Sequence, residues 1–105
     1  LAVQVQVGVS YESDLEKVEK ITIEVGREVM RQVKGGVPEF EPFLRYHTFG
    51  DSSIQCSVTL RGQEFSDQFL VKHEFIKRLQ RRYAQEGIKI PLSIPMGQLK
   101  PEAKS

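Results

Sequence analysis

The stretch VQVQVGVSYESDLEKV, residues 3 to 18, decides the fold because it joins a strand pattern directly to a helix start. In its first half, valines alternate with glutamine and glycine, and Tyr11 continues the apolar face. This alternation predicts a strand over residues 3 to 11. In its second half, Ser13 and Glu16 form a capping box, in which the serine oxygen accepts a backbone hydrogen bond while the glutamate reaches back. A helix is therefore predicted to begin here.

An apolar stripe extends this predicted helix to about residue 34. Its members recur at three- and four-residue steps and would share one face along about 30 Å of helix: Leu15, Val18, Ile21, Val25, Val29 and Val33. Gly26 interrupts the helix interior and should cost about 1 kcal/mol relative to alanine. The sequence GGVP, residues 35 to 38, then predicts a left-handed C-cap and a proline stop.

Two more strands are predicted after this turn. The alternation of apolar and polar side chains is irregular over residues 43–49 and regular over residues 54–60, and Gly50 with Asp51 forms a turn between them. This pattern predicts a hairpin. In its second strand Cys56 falls among the apolar positions, so we expect it in the core.

A second helix is predicted from near Ser66 to a glycine C-cap at Gly87. Its expected inward-facing residues are Phe69, Phe75 or Ile76, Leu79 and Tyr83. The segment GIKIP, residues 87 to 91, then predicts a short fourth strand. Pro91 and Pro95 should interrupt this strand because proline cannot donate to a sheet ladder.

The resulting order is β-α-β-β-α-β followed by a tail. Within about 90 residues this order is typical of an α+β domain, the ferredoxin-like two-layer sandwich with two helices on one face of an antiparallel sheet. We expect residues 1–92 to form this domain and residues 93–105 to form an extended C-terminal tail.

Composition is that of a soluble globular domain. The 105 residues carry 15 basic and 14 acidic side chains, a formal charge of +1 that creates no field able to hold a polyanion. No apolar run is long enough to predict a transmembrane helix or a signal peptide. A single cysteine excludes an internal disulfide and multi-cysteine metal sites, and it favours a cytoplasmic setting.

The sequence carries no catalytic or ligand-binding motif. His47 and His73 lie far apart, without cysteines or clustered carboxylates at ligand spacing. The carboxylates around Asp14 are explained by capping, and no glycine-rich phosphate loop occurs. The sequence therefore predicts no enzyme, no cofactor, no metal site and no small-molecule substrate.

Basic residues near the end of the second helix raise an alternative, a free-standing ferredoxin-like binding module for RNA or a small regulatory ligand. Lys77, Arg78, Arg81 and Arg82 form this cluster, which also suits the helix dipole. An RNA-recognition module of this kind needs stacking aromatics on its central strands. Residues 52–60 read SSIQCSVTL and contain none, so we expect no nucleic-acid partner.

Three motifs taken together resemble the C-terminal cytoplasmic α/β domain of the small-conductance mechanosensitive ion channel family. They are VGVSYESDLEKVEKI (residues 7–21), FGDSSI (residues 49–54) and QEGIKIP (residues 85–91). Each motif alone is a common cap or turn, and their joint order and spacing carry the resemblance. It covers about residues 5 to 92.

The resemblance implies a homo-oligomeric channel, heptameric in the best-known members, that opens under membrane tension and releases ions and small solutes in osmotic stress. This segment would be a vestibule domain with a structural and filtering role. The parent protein would lie in the cell membrane, with this segment on the cytoplasmic side. The domain could not gate alone, because the family's membrane helices precede it and are not among these residues.

The tail departs from the family pattern, in which an aromatic residue, proline and glutamine follow Ile-Pro. Here PLSIPMGQL, residues 91–99, stands in that place. The resemblance implies that the tail is either an intersubunit contact, with Ile94, Met96 and Leu99 as its candidate interface residues, or disordered.

Overall fold

The computed structural model describes residues 1–92. Their elements are β1 (Ala2–Val9), α1 (Leu15–Gln32), β2 (Phe43–Phe49), β3 (Ile54–Arg61) and α2 (Asp67–Glu86). The strands form one antiparallel sheet in the order β1-β3-β2, and both helices pack on the same face of it. The predicted α+β two-layer architecture is confirmed.

β1 forms because its valines bury one face of the strand. The side chains at 3, 5, 7 and 9 all lie in the core, while Gln4 and Gln6 are exposed on the opposite face. The strand ends at Val9, two residues before the predicted end. Tyr11 lies outside the strand, about half exposed, and its hydroxyl donates to the carbonyl of Gly50.

The N-cap of α1 is Asp14 and not the predicted Ser13. The Asp14 carboxylate accepts hydrogen bonds from the backbone N–H groups of Glu16 and Lys17, at 3.1 and 3.3 Å. The helix starts at Leu15, whereas a Ser13 cap would require it to start one residue earlier. The backbone N–H groups of Glu16 and Lys17, which have no partner within the helix, therefore point at the Asp14 side chain.

Gly26 allows α1 to approach the rest of the core closely. A Cβ at this position would lie 2.9 Å from Cβ of Pro42 and 3.1 Å from Cδ2 of Leu60. Alanine would therefore overlap two buried neighbours. The glycine lowers helix propensity, as predicted, but its lack of a side chain is what lets α1 pack against Pro42 and Leu60.

The predicted inward face of α2 is right at three positions and wrong at Phe69. The buried residues Val71, Phe75, Leu79 and Tyr83 follow four-residue steps. Phe69 lies two residues before this row, on another side of the helix, and is 67% exposed. α2 ends as predicted at Gly87, whose φ of 74° is left-handed.

The hairpin of β2 and β3 is confirmed. The strands pair antiparallel, and Gly50 donates its N–H to Ser53 across the turn at 2.8 Å. Cys56 is fully buried on β3, as the alternation predicts.

The predicted fourth strand is not present in the described part of the chain. Residues 88–92 lie beside the end of β1, and the N–H of Ser10 donates to the carbonyl of Lys89 at 2.9 Å. In an antiparallel continuation Pro91 would face Gly8, where a backbone donor is required. Because proline has no N–H, this pairing stops after one bond.

Candidate functional site

The predicted subunit contacts Ile94, Met96 and Leu99 lie outside the described residues. The segment that leads to them is described as far as Leu92, which is 81% exposed. Ile90 is half-exposed and lies against β1 and α2. This segment crosses the surface between β1 and α2, which is the candidate binding surface.

The outer edge of β1 presents free backbone groups. Leu1 and Gly62 exchange two hydrogen bonds, at 2.8 and 3.0 Å, so the odd-numbered residues of β1 pair with β3. The even-numbered residues then point their N–H and C=O groups away from β3. Ser10, the residue that follows β1, obeys the same rule: its N–H donates to the carbonyl of Lys89, the one backbone bond between residues 88–92 and residues 1–10. The outward groups of Gln4, Gln6 and Gly8 have no backbone partner in residues 1–92.

An apolar groove runs along this edge, between β1 and α2. Its volume is about 240 Å³, and it is lined by Val5, Val7, Ile76, Leu79 and Ile90 with Gln80 at its rim. Ile76 was predicted as a possible core residue, but its side chain is 49% exposed because this groove has no cover among residues 1–92. Free backbone groups beside an apolar groove are the features that bind an added strand.

Two of the four residues in the basic cluster on α2, Arg78 and Arg82, form ion pairs with acidic residues of α1. Arg78 bonds Glu28 and Arg82 bonds Glu24, each at 2.8 Å. The two carboxylate neighbours of Arg82 raise the pKa of its guanidinium above the usual value. The charges of Arg78 and Arg82, which suggested RNA binding, are therefore partly offset by neighbouring carboxylates.

The interior holds polar groups in structural roles. The hydroxyls of Thr22 and Tyr83 share a buried hydrogen bond of 2.6 Å between α1 and α2. Burial raises the pKa of Tyr83 to about 12 and that of Cys56 to about 11, so both stay protonated at neutral pH. Cys56 therefore lacks the thiolate character of a nucleophile.

The two histidines occupy separate surfaces. On the open face of the sheet, His47 Nδ1 bonds the hydroxyl of Thr48 and Nε2 bonds the side-chain oxygen of Gln6. His73 lies on α2. Residues 1–92 contain no group of three or more side chains that could hold a metal ion.

A family model described as "Mechanosensitive ion channel MscS, C-terminal" matches residues 3–90 of this chain. The chain belongs to this family. The resemblance seen in its three motifs is therefore confirmed. The open edge of β1 and the apolar groove are features of a domain of this family. Neither helix in the described residues is long and apolar enough to cross a bilayer.

The fold is also similar to a solved MscS structure. The crystal structure of Helicobacter pylori MscS in the closed state matches with a TM-score of 0.67 and 24% sequence identity, over 91% of this chain. At 24% sequence identity, this similarity supports the fold of the present chain and nothing beyond the fold. The match spans 38% of the Helicobacter chain, so this chain is the length of one part of that protein. A search of curated proteins gave no match.

Sequence reasoning missed the groove because its walls come from residues distant in the chain. Ile76 and Ile90 become neighbours only through the packing of α2 on β1. One sequence signal was available: apolar and polar residues still alternate after Ile90, a pattern that favours contact with a surface over a frayed chain end.

Proposed function

We propose that this chain is the cytoplasmic vestibule domain of an MscS-family mechanosensitive channel that releases ions and small solutes under membrane tension. The observation that carries the proposal is the family match over residues 3–90, on a domain with two helices against a three-stranded sheet. Its role is structural and filtering, without chemistry. Gating belongs to membrane segments elsewhere in the parent protein.

The proposed partners are identical subunits arranged in a ring, with seven as the number in the best-known channels of this family. The parent protein would lie in the cell membrane, and this domain would be on its cytoplasmic side. The open edge of β1 and the exposed apolar side chains near it support the need for a protein neighbour.

The tail is proposed as part of the contact between subunits, with Ile94, Met96 and Leu99 as its apolar residues. A short apolar contact of this kind gives weak association on its own. We therefore expect the isolated 105-residue chain to be monomeric or weakly associated at micromolar concentration, because the membrane part holds the ring together. Sedimentation velocity measures this, and a stable heptamer under these conditions contradicts the weak-association prediction.

The coding sequence that runs through Leu1 tests the proposed function. We expect it to encode several transmembrane helices upstream of this domain. A complete reading frame without such helices refutes the channel assignment, whatever the domain's own association behaviour.

A further inference from the structure

The open face of the sheet, which lies opposite the helices, carries positive charge without acidic side chains. None of its three strands contains an aspartate or a glutamate. Arg45 on β2 and Arg61 on β3 lie on this face, and both are exposed. Neither forms an ion pair within residues 1–92, and the nearby carboxylate of Glu41 is bonded by Arg27 of α1. The open face therefore favours an anionic partner.

Aromatic rings hold the two arginines in place. Arg45 Cζ lies 5.1 Å from the centre of the Phe43 ring, and Arg61 Cζ lies 5.2 Å from the centre of the Phe40 ring. The ring centres are 6.3 Å apart, so the four side chains form one continuous arginine-phenylalanine row. A guanidinium that lies over a ring keeps N–H groups at its edge for an anion. Because it is already positioned, it loses less freedom when the anion binds.

The row has the spacing of an extended peptide. Phe43 lies opposite Thr59 in the sheet, and Arg45 lies opposite Ser57. Arg61 follows Thr59 by two residues. Arg45, Phe43 and Arg61 thus stand at successive two-residue steps along the strands, each about 6.8 Å long. In an extended peptide, alternate side chains share one face at the same step, so an acidic, an apolar and an acidic side chain would match the row.

The ring between the charges favours a peptide over other polyanions. Phe43 is 40% exposed, and a polyphosphate chain has no apolar group to cover it. Arg45 lies over a face of this ring, which is the surface on which a nucleic-acid base would stack. A peptide with an apolar residue between two carboxylates offers both kinds of contact.

We infer that the open face of the sheet binds an extended acidic peptide segment of a partner protein. Two carboxylates of the peptide bind Arg45 and Arg61, and one apolar side chain between them covers Phe43. This partner is additional to the identical subunits proposed above, and its binding does not depend on the channel assignment.

An NMR titration of the isotope-labelled 105-residue chain tests this binding at low salt. The probe is the synthetic peptide Thr-Glu-Thr-Leu-Thr-Glu-Thr, and we expect saturable shifts around Phe43 with a Kd of about 1 mM. Arg45→Gln and Arg61→Gln should each weaken binding about threefold. Arg81→Gln is the matched control, because it removes the same charge from an exposed position on α2 and should leave binding unchanged.

A rearranged peptide, Thr-Thr-Glu-Leu-Glu-Thr-Thr, keeps the composition and charge of the probe. It brings the two carboxylates within one two-residue step and turns the leucine to the opposite face. We expect it to bind at least threefold more weakly.

Four results overturn the inference. They are the absence of saturable shifts at several times the expected Kd, equal binding of the two peptides, an equal loss of binding in Arg81→Gln and Arg45→Gln, and tighter binding of a seven-nucleotide oligouridylate at the same residues. The last result would make this face a nucleic-acid site. None of them bears on the proposed function, which is decided by the membrane segments in the coding sequence.

Discussion

The buried hydrogen bond between Thr22 and Tyr83 should make the two helices energetically dependent on each other. Thr22→Val keeps the shape of the side chain but leaves the Tyr83 hydroxyl buried without its partner, at a cost of about 2 kcal/mol. Tyr83→Phe should cost about 1 kcal/mol, because the Thr22 hydroxyl can turn to a carbonyl of the preceding helical turn. The double variant removes both polar groups and should cost only about 1 to 1.5 kcal/mol.

Urea unfolding of the four proteins measures this coupling. A loss of about 2 kcal/mol lowers the urea midpoint by about 1 to 2 M at the m-values of small domains. We expect the two single losses to exceed the loss in the double variant by about 1.5 kcal/mol. If the single effects add, the hydroxyls do not interact and the contact between α1 and α2 rests on apolar packing alone.

Three further predictions follow from the packing, the buried thiol and the helix cap. Gly26→Ala should destabilise the domain by about 1 to 2 kcal/mol in urea, because overlap with Pro42 exceeds the helix-propensity gain of about 1 kcal/mol, and a more stable variant would contradict the close approach. Burial raises the pKa of Cys56 from 9.0 to about 11, so the folded state keeps a proton that the unfolded state releases and stability falls as pH rises through this interval. Cys56→Val should reduce that decline by about 2 kcal/mol, whereas an unchanged pH profile would assign the decline to other groups. Asp14→Ala should lower the free energy of unfolding by about 1 kcal/mol, and Ser13→Ala by only a few tenths of a kcal/mol. The reverse order would identify Ser13 as the N-cap.

Much of the fold could be predicted because local patterns and packing agree. The alternation of β1, the stripe of α1 and the glycine cap of α2 each depend on residues close in sequence, and each is present in the structure. The errors arise where the deciding atoms are distant. Phe69 has the apolarity of a core residue, and its exposure follows from how α2 is rotated on the sheet.

The candidate site could be predicted only in part. The open edge of β1 could not be predicted, because which backbone groups point outward depends on the hydrogen-bonding phase that the pair between Leu1 and Gly62 establishes. The basic cluster looked free in sequence because its partner carboxylates, such as Glu28, lie on another helix. Charge balance across two helices cannot be read from either helix alone.

The most direct test of the central claim, that this domain belongs to a tension-gated channel, is a patch-clamp recording. The full protein that contains this domain would be expressed in membranes that lack other tension-gated channels. We predict a conductance that opens as suction on the patch increases. A membrane-inserted full-length protein with no tension-dependent conductance would contradict the account.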